Sequence, residues 1–408
     1  MLSFPRRQRL ARPFRRYLVA KCLISAAVAW SVMTLVLQAK GMSFLDIGLL
    51  NSFGAVVSLA FEVPMGRVAD RYGQRQALTW GAVFIAVGLA ILAIFDAVTA
   101  IYVSEFIVGI GLALSSGADS AWLFAEHKRL GLEDQYLDTR SAIGSKTTLF
   151  SIGASATAPV LFSWGTGIPL WVTAFLYLSA AGVWAGLVVH PREKAFDQDA
   201  SKAQVLPTQS VLRRSLAAIG ANRLFVSLSL ASMLIVTAVS NFSTYIGPFM
   251  ESRGLDVRFL GAVLLAGQFA RWLAIRNTFR LKRPTHQQRL RILVAVGLAI
   301  LVLLAISTIF PRRPWAGAIA FVAISGLSTL FFTLLDEQVN LVISDRYRST
   351  MLSIVAMFDE VATIAIDPLI GAMLDAVGFS RAYLLLAAII ALLFLAAMAT
   401  AYAILRRS

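Results

Sequence analysis

Long apolar runs separated by short polar gaps dominate the chain from Tyr17 to Leu405. A helix needs about 20 mostly apolar residues to cross the hydrocarbon core of a bilayer. On that ruler, crossings fall near 17–38, 44–65, 77–96, 100–124, 140–163 and 167–189. A second set falls near 223–249, 257–277, 288–310, 314–340, 350–374 and 378–405. The runs are too long for strands and lack a barrel's alternation, so the expected fold is an all-α membrane protein. One long hydrophilic stretch, His190 to Asn222, divides the twelve transmembrane helices into two six-helix pseudo-repeats. The expected domains are a bundle over 1–189, a cytoplasmic linker over 190–222 and a second bundle over 223–408. The halves echo each other: Arg140-Ser141 stands 19 residues before Pro159, and Arg348-Ser349 stands 20 before Pro368. That suits two parallel repeats about an axis along the membrane normal.

Composition agrees with the pattern. Of 408 residues, 58% are hydrophobic and 14% charged, where a soluble domain carries about 25% charged. Mean hydropathy is +0.74. A single cysteine, Cys22, leaves no internal disulfide. His127, His190 and His286 fall beside separate crossing ends, so neither a metal site nor a cofactor is expected.

Charge placement gives the orientation. Most of the 37 lysines and arginines lie in alternate gaps: Arg6 to Arg16, Arg67 to Arg75, Lys128 to Arg140, the linker, Arg276 to Arg291, Arg346 to Arg348, and Arg406-Arg407. The remaining gaps hold Lys40, Arg253, Arg258, Arg312, Arg313 and Arg381. This positive-inside pattern places both termini in the cytoplasm of a multi-pass protein of the cell membrane. The net charge of +15 is then topology, with contact to anionic lipids as a by-product. No soluble basic face with interleaved aromatics is present, so nucleic acid is not an expected partner. The opening "MLSFPRRQRLARPFRRYL" lacks a small-residue cleavage site and reads as a basic tail entering the first crossing.

The charged gap after the second crossing carries "GRVADRYGQRQAL", Gly66 to Leu78. It resembles the G-x-x-x-D-R-x-G-R-R motif of the major facilitator superfamily, in that family's expected loop. Gly66, Asp70, Arg71, Gly73 and Arg75 match, while Gln74 replaces a usual basic residue. The resemblance implies a fold of two six-helix bundles and a loop that latches the halves in one state and releases them on switching. Physically, Asp70 suits a neighbouring helix N-terminus, and the arginines suit acidic groups on adjacent helices. "NLVISDRYRSTMLSI", Asn340 to Ile354, looks like the segment leading into the family's eleventh crossing. The fifth crossing keeps only part of the antiporter pattern: Gly144 and Gly153 stand nine apart, but "ASATAP" shifts its closing Gly-Pro. In the fourth, Glu105 of "SEFIVGIG" stands where many drug–proton antiporters carry arginine.

Ionisable residues inside a bilayer cost about 2.5–3.5 kcal/mol each at the helix centre and face a cavity or a partner. Candidates for proton coupling or substrate contact are Glu105, Asp119, Lys146, Arg271, Asp336, Glu337, Asp359, Glu360 and Asp367. Asp119 and Lys146 lie at similar depths and are expected to pair. Asp359, Thr363 and Asp367 recur every four residues on one helical face that ends at Pro368. Glu360 lies about 100° away from Asp359, so Arg271 is a candidate partner for one of the two. Asn241 and Tyr245, four apart before Gly247-Pro248, are the pocket candidates.

These features point to a secondary transporter of a small molecule, working by alternating access as a monomer, with protons as the coupling ion and export as the favoured direction. No phosphate-cradling glycine-lysine loop is present, which argues against an ATP-driven pump. A membrane-embedded transferase would need clustered catalytic groups at one interface, and none is seen, so the chain is not read as an enzyme. A lipid flippase or a transporter-like receptor on the same scaffold is the alternative.

Overall fold

The computed structural model describes residues 12–187, 223–278, 285–309, 313–342 and 348–407. The N-terminal tail, the linker expected over 190–222, and the basic residues Arg280, Lys282, Arg283, Arg312 and Arg346 lie outside them, as does the side chain of Asp359. Among the described residues the chain is helical, with no strand. The helices are α1 (Arg12–Ser25), α2 (Met33–Ala39), α3 (Phe44–Tyr72), α4 (Gln74–Ile94), α5 (Val98–Ser115), α6 (Ala118–Leu130), α7 (Tyr136–Trp164) and α8 (Ile168–Ala185). After the linker come α9 (Arg223–Thr244), α10 (Ile246–Glu251), α11 (Val257–Thr278), α12 (His286–Ile309), α13 (Pro314–Val342) and α14 (Arg348–Arg407).

Nine helical runs among the described residues are long and apolar enough to cross a membrane. The number is ten if the pair Pro13–Ser31 and Met33–Ala39, bent by 45°, counts as one crossing. Two local facts separate this count from the twelve expected crossings. α7 has the length, at 29 residues, but its first half carries Asp138, Arg140, Lys146 and a run of serines and threonines. α14 holds the last two expected crossings as two helices that meet at a kink at Gly378, whose φ is 72°.

Contacts sort the chain into two compact units: Met1–Val36 with Phe53–Arg192, and Leu37–Ser52 with Glu193–Ser408. In the first unit α4 packs against α5 and α8. Glycine brings α4 and α5 together. A Cβ on Gly111 would lie 2.6 Å from the Gly81 carbonyl oxygen, and one on Gly81 would strike Ser115 Oγ. Ser104 Oγ donates to the Gly88 carbonyl at 2.7 Å across the same seam. Apolar lipid gives helices no hydrophobic reason to associate, so close backbone approach and hydrogen bonds do that work. Gly73 separates α3 from α4 with φ 97°, a conformation that L side chains rarely adopt. Arg75 Nη1 donates to the Ala185 carbonyl at 3.1 Å and Arg16 Nη1 to the Gly186 carbonyl at 2.8 Å. Both guanidiniums therefore sit at the C-terminal end of α8, where the helix dipole favours cations.

In the second unit α9 packs on α14, α13 packs on α11 and α12, and α12 packs on α14. Gly297 leaves room for the Phe394 ring. Phe242, Phe249, Phe379 and Tyr383 form an aromatic cluster, with Phe242–Phe249 and Phe242–Tyr383 centroids both 5.4 Å apart near right angles. Such edge-to-face pairs add about 0.5–1.5 kcal/mol beyond area burial. The stretch 37–52 belongs to this unit because the start of α3 is seated on α14. A Cβ on Gly371 would strike the Phe44 carbonyl, and one on Gly48 would strike the Asp367 carbonyl. The α3 N-terminus is closed by a capping box: the Ser43 N–H donates to Asp46 Oδ2 at 3.0 Å and the Asp46 N–H to Ser43 Oγ at 3.1 Å. Asp375 of α14 accepts the next two N–H groups, from Phe44 at 3.1 Å and Leu45 at 2.8 Å.

Candidate functional site

The second unit holds a polar cleft of about 130 Å³ between α9 and α14, lined by Thr237, Ser240, Asn241, Glu360, Thr363 and Asp367 among others. Four-residue spacing on α14 and on α9 builds it, because positions i and i+4 share a helix face. Asp367 is the fixed point. Its two oxygens accept from Asn51 Nδ2 of α3 at 3.2 Å and from Asn241 Nδ2 of α9 at 3.3 Å. Ser52 Oγ donates to the Ile364 carbonyl at 3.0 Å, supplying a hydrogen bond one turn N-terminal of Pro368. Asn241 is buried, at 4% exposure, and its Oδ1 has no hydrogen-bond partner. An orphaned buried acceptor costs about 1–3 kcal/mol. Beside two carboxylates and four hydroxyls, it calls for a donor from a ligand or water.

The sequence-predicted residues divide around this cleft. Glu360, Asp367 and Asn241 meet there. Tyr245 instead lies fully buried against Phe44, with centroids 5.6 Å apart, and does not line the cleft. Arg271 makes no ion pair with Glu360 among the described residues, and the side chain of Asp359, its other candidate partner, lies outside them. Glu337 is bonded by Arg289 Nη2 at 2.8 Å, while Arg289 Nη1 donates to Gln338 at 3.0 Å. These bonds tie α12 to α13. Asp336 is exposed at the same helix end.

In the first unit, the expected pairing of Asp119 with Lys146 gives way to another. Asp119 accepts from the Tyr17 hydroxyl through Oδ1 and from Lys21 Nζ through Oδ2, the latter at 2.8 Å. α1 outcompetes α7 because Tyr17 and Lys21 are four apart on one face, and Tyr17 stacks on the buried Trp122 with centroids 5.2 Å apart. Lys146 is left exposed. Glu105 packs onto Gly54 of α3, where any Cβ would strike its carboxylate. The expected loop over Gly66–Arg75 is helical except at Gly73, because α3 continues to Tyr72 and α4 starts at Gln74; Asp70 and Arg71 are exposed at the end of α3. Arg75 binds a carbonyl of α8 rather than the acidic group expected of the motif's arginines.

Sequence reading missed Asn51, Ser52, Tyr17 and Lys21. Each was visible as a polar group inside an apolar run, which is costly without a partner. Their partners lie 98 to 316 residues away along the chain, a distance that no local pattern spans.

This architecture has known counterparts. The sequence model described as "Major Facilitator Superfamily" matches residues 22–341. The uncharacterized MFS-type transporter YxaM of Bacillus subtilis (strain 168) is 21% identical over 357 residues, covering 87% of each chain. Among solved structures, the nucleoside transporter NupG superposes with a TM-score of 0.74 at 16% identity, over 95% of this chain and 98% of that one. A D-xylose–proton symporter superposes with a TM-score of 0.68 at 13% identity, over 94% and 95% of the two chains. At these identities the structural likeness speaks to the fold alone, while the sequence match spans most of the chain. The chain belongs to the Major Facilitator Superfamily of multi-pass membrane transporters.

Proposed function

We propose that this protein is a proton-coupled secondary transporter of a small polar molecule, working by alternating access, with Asp367 as the proton-linked carboxylate. The observation that carries the reading is the α9–α14 cleft, where the Asp367 carboxylate is held by Asn51 and Asn241 beside Glu360 and an unpaired Asn241 Oδ1. A carboxylate held by weak neutral donors, with no fixed cation among its bonded partners, can exchange a proton without breaking an ion pair. A proton taken up there also changes what Asn51 of α3 can donate to. In this way the charge state of the cleft is linked to a helix that must move if access alternates. The Gly66–Arg75 segment is assigned the gating role its motif implies. Export is the direction we favour, on the partial likeness of the fifth crossing to efflux members. The structural neighbours, a nucleoside transporter and a D-xylose–proton symporter, suggest the first solutes to try.

The test uses purified protein in proteoliposomes enclosing a pH-sensitive dye, with nucleosides and pentoses first in a wider solute panel. A solute that moves protons with it identifies the substrate, and the sign of the dye response gives the direction. Asp367→Asn is expected to cut proton-driven movement by roughly tenfold or more while counterflow exchange persists. Wild-type coupling in that variant would discard the assignment.

One observation favours a second reading, a flippase. A groove of about 810 Å³ runs between α11 and α13, lined by Ala266, Ala270, Ala274, Ile319, Ala323 and Leu330 among other mostly apolar residues. Translocation of a fluorescent phospholipid in the same vesicles, without proton movement, would replace the first reading with this one.

A further inference from the structure

Hydrogen-bond supply and demand in the cleft between α9 and α14 are unequal. Glu360 and Asp367 bring two carboxylates to its lining, and no lysine, arginine or histidine lines it among the described residues. Asp367 accepts from Asn51 and Asn241, whereas an ionised carboxylate has about four lone-pair positions. Asn241 has no donor left to offer. The two hydrogens on its Nδ2 go to the Thr237 carbonyl at 3.1 Å and to Asp367 Oδ1 at 3.3 Å. Turning the amide over would set its oxygen against that carbonyl and that carboxylate, so the partners fix its orientation. What remains is Oδ1, an acceptor without a partner, on a side chain that is 4% exposed. Serine and threonine hydroxyls complete the polar lining and can accept as well as donate. The fixed donors are used up, and the fixed acceptors are in surplus.

That surplus sorts the classes of solute. An anion would bring more negative charge against two carboxylates, with no lining cation to offset it. No group of three or more His, Cys, Asp or Glu side chains that suits a metal ion occurs among the described residues. A quaternary ammonium has no N–H to donate and is held by aromatic faces. The rings of Phe242, Phe249, Phe379 and Tyr383 do not line the cleft. A primary ammonium brings three donors and no acceptor, which is the complement of this lining. At about 130 Å³, the cleft is under half the ~300 Å³ of the smallest sites for drug-sized ligands. It therefore seats one group of a solute rather than a whole drug-sized molecule.

We propose that the cleft binds a protonated primary amine carried by the transported solute, with Asp367 and Glu360 supplying charge and Asn241 Oδ1 a directional acceptor. The carboxylates draw in any cation, and the acceptors select one that carries N–H groups. This narrows the small polar solute of the transporter reading, on which it rests, to a cationic amine. It does not require that protons move.

The test is thermal unfolding of the full chain in a neutral detergent, at neutral pH and constant ionic strength. The probes are propylammonium, propyltrimethylammonium, sodium propionate, propanol and sodium chloride. Propylammonium is expected to raise the midpoint by about 2–4 °C at saturation. Propyltrimethylammonium carries the same charge but no hydrogen to donate, so about tenfold more or beyond is expected for half the effect. Propionate, propanol and sodium chloride are expected to leave the midpoint unchanged. Asp367→Asn and Asn241→Leu are each expected to lose most of the propylammonium shift. If either variant fails to fold, the order of the two ammonium ions on the wild type decides alone. The proposal is overturned if propylammonium gives no shift, if the trimethyl ion matches it, or if propionate, propanol or sodium stabilises as strongly. It is equally overturned if Asp367→Asn keeps the full shift. No pH gradient is involved, so failure here leaves the proton-coupling test standing, and failure of that test leaves amine binding to be read from this one.

Discussion

Asp119 illustrates how a single side chain is both predictable and not. Its cost inside an apolar run announces that it has a partner, but two lysines lie at comparable depth and only packing chooses between them. Tyr17 and Lys21, one turn apart on α1, close on it together. Removing the acid strands Lys21, whereas removing both charges leaves an apolar contact. Asp119→Ala is therefore expected to lower the melting temperature more than Asp119→Ala with Lys21→Met. Equal losses would show that the pair is not coupled. The same comparison with Lys146→Met in place of Lys21→Met should give no rescue, since Lys146 does not touch Asp119. In the cleft, Asn241→Ala removes one donor to Asp367 and the orphaned Oδ1 together. A loss in proton-driven transport smaller than that of Asp367→Asn is expected, measured in the same vesicles.

Several helix seams among the described residues close through glycine. Gly81, Gly88 and Gly111 do this for α4 and α5, and Gly48 and Gly371 do it for α3 and α14. The second seam bears on function because Asn51, one turn beyond Gly48, bonds Asp367. A side chain at Gly48 would meet the Asp367 carbonyl, a backbone atom that cannot swing aside. Gly48→Val is thus expected to push α3 off α14 and to cost about 1–3 kcal/mol by overpacking, with the Asn51–Asp367 bond lost. A melting point lowered by several degrees and proton coupling reduced in step would bear this out; wild-type values for both would refute the seam. Gly66 has nothing within 4 Å of a built Cβ, so Gly66→Ala serves as the control, and its melting point should stay near wild type. Periodicity located these helices well because apolar length is a local property. It did not foresee the break at Gly117, whereas the kink at Gly378, where two helices meet, falls at the expected boundary between the last two crossings.

At the scale of the whole chain, the distribution of lysine and arginine predicts that the Gly66–Arg75 segment faces the cytoplasm. The single cysteine makes this easy to check. In a Cys22→Ser background, Arg71→Cys should react with a membrane-impermeant maleimide in inside-out vesicles and not in right-side-out ones. The reverse pattern would invert the topology and, with it, the proposed direction of transport. Membrane insertion, helical class and family were written in the sequence, because insertion depends on apolar length and charge asymmetry, and the loop motif is contiguous. The choice of partner for each intramembrane charge was not. Asp367 with Asn51 and Asn241, Asp119 with Lys21, and the unpaired state of Lys146 all depend on contacts between helices far apart in the chain. Such contacts are fixed by where small residues let backbones approach, and only the folded helices decide that.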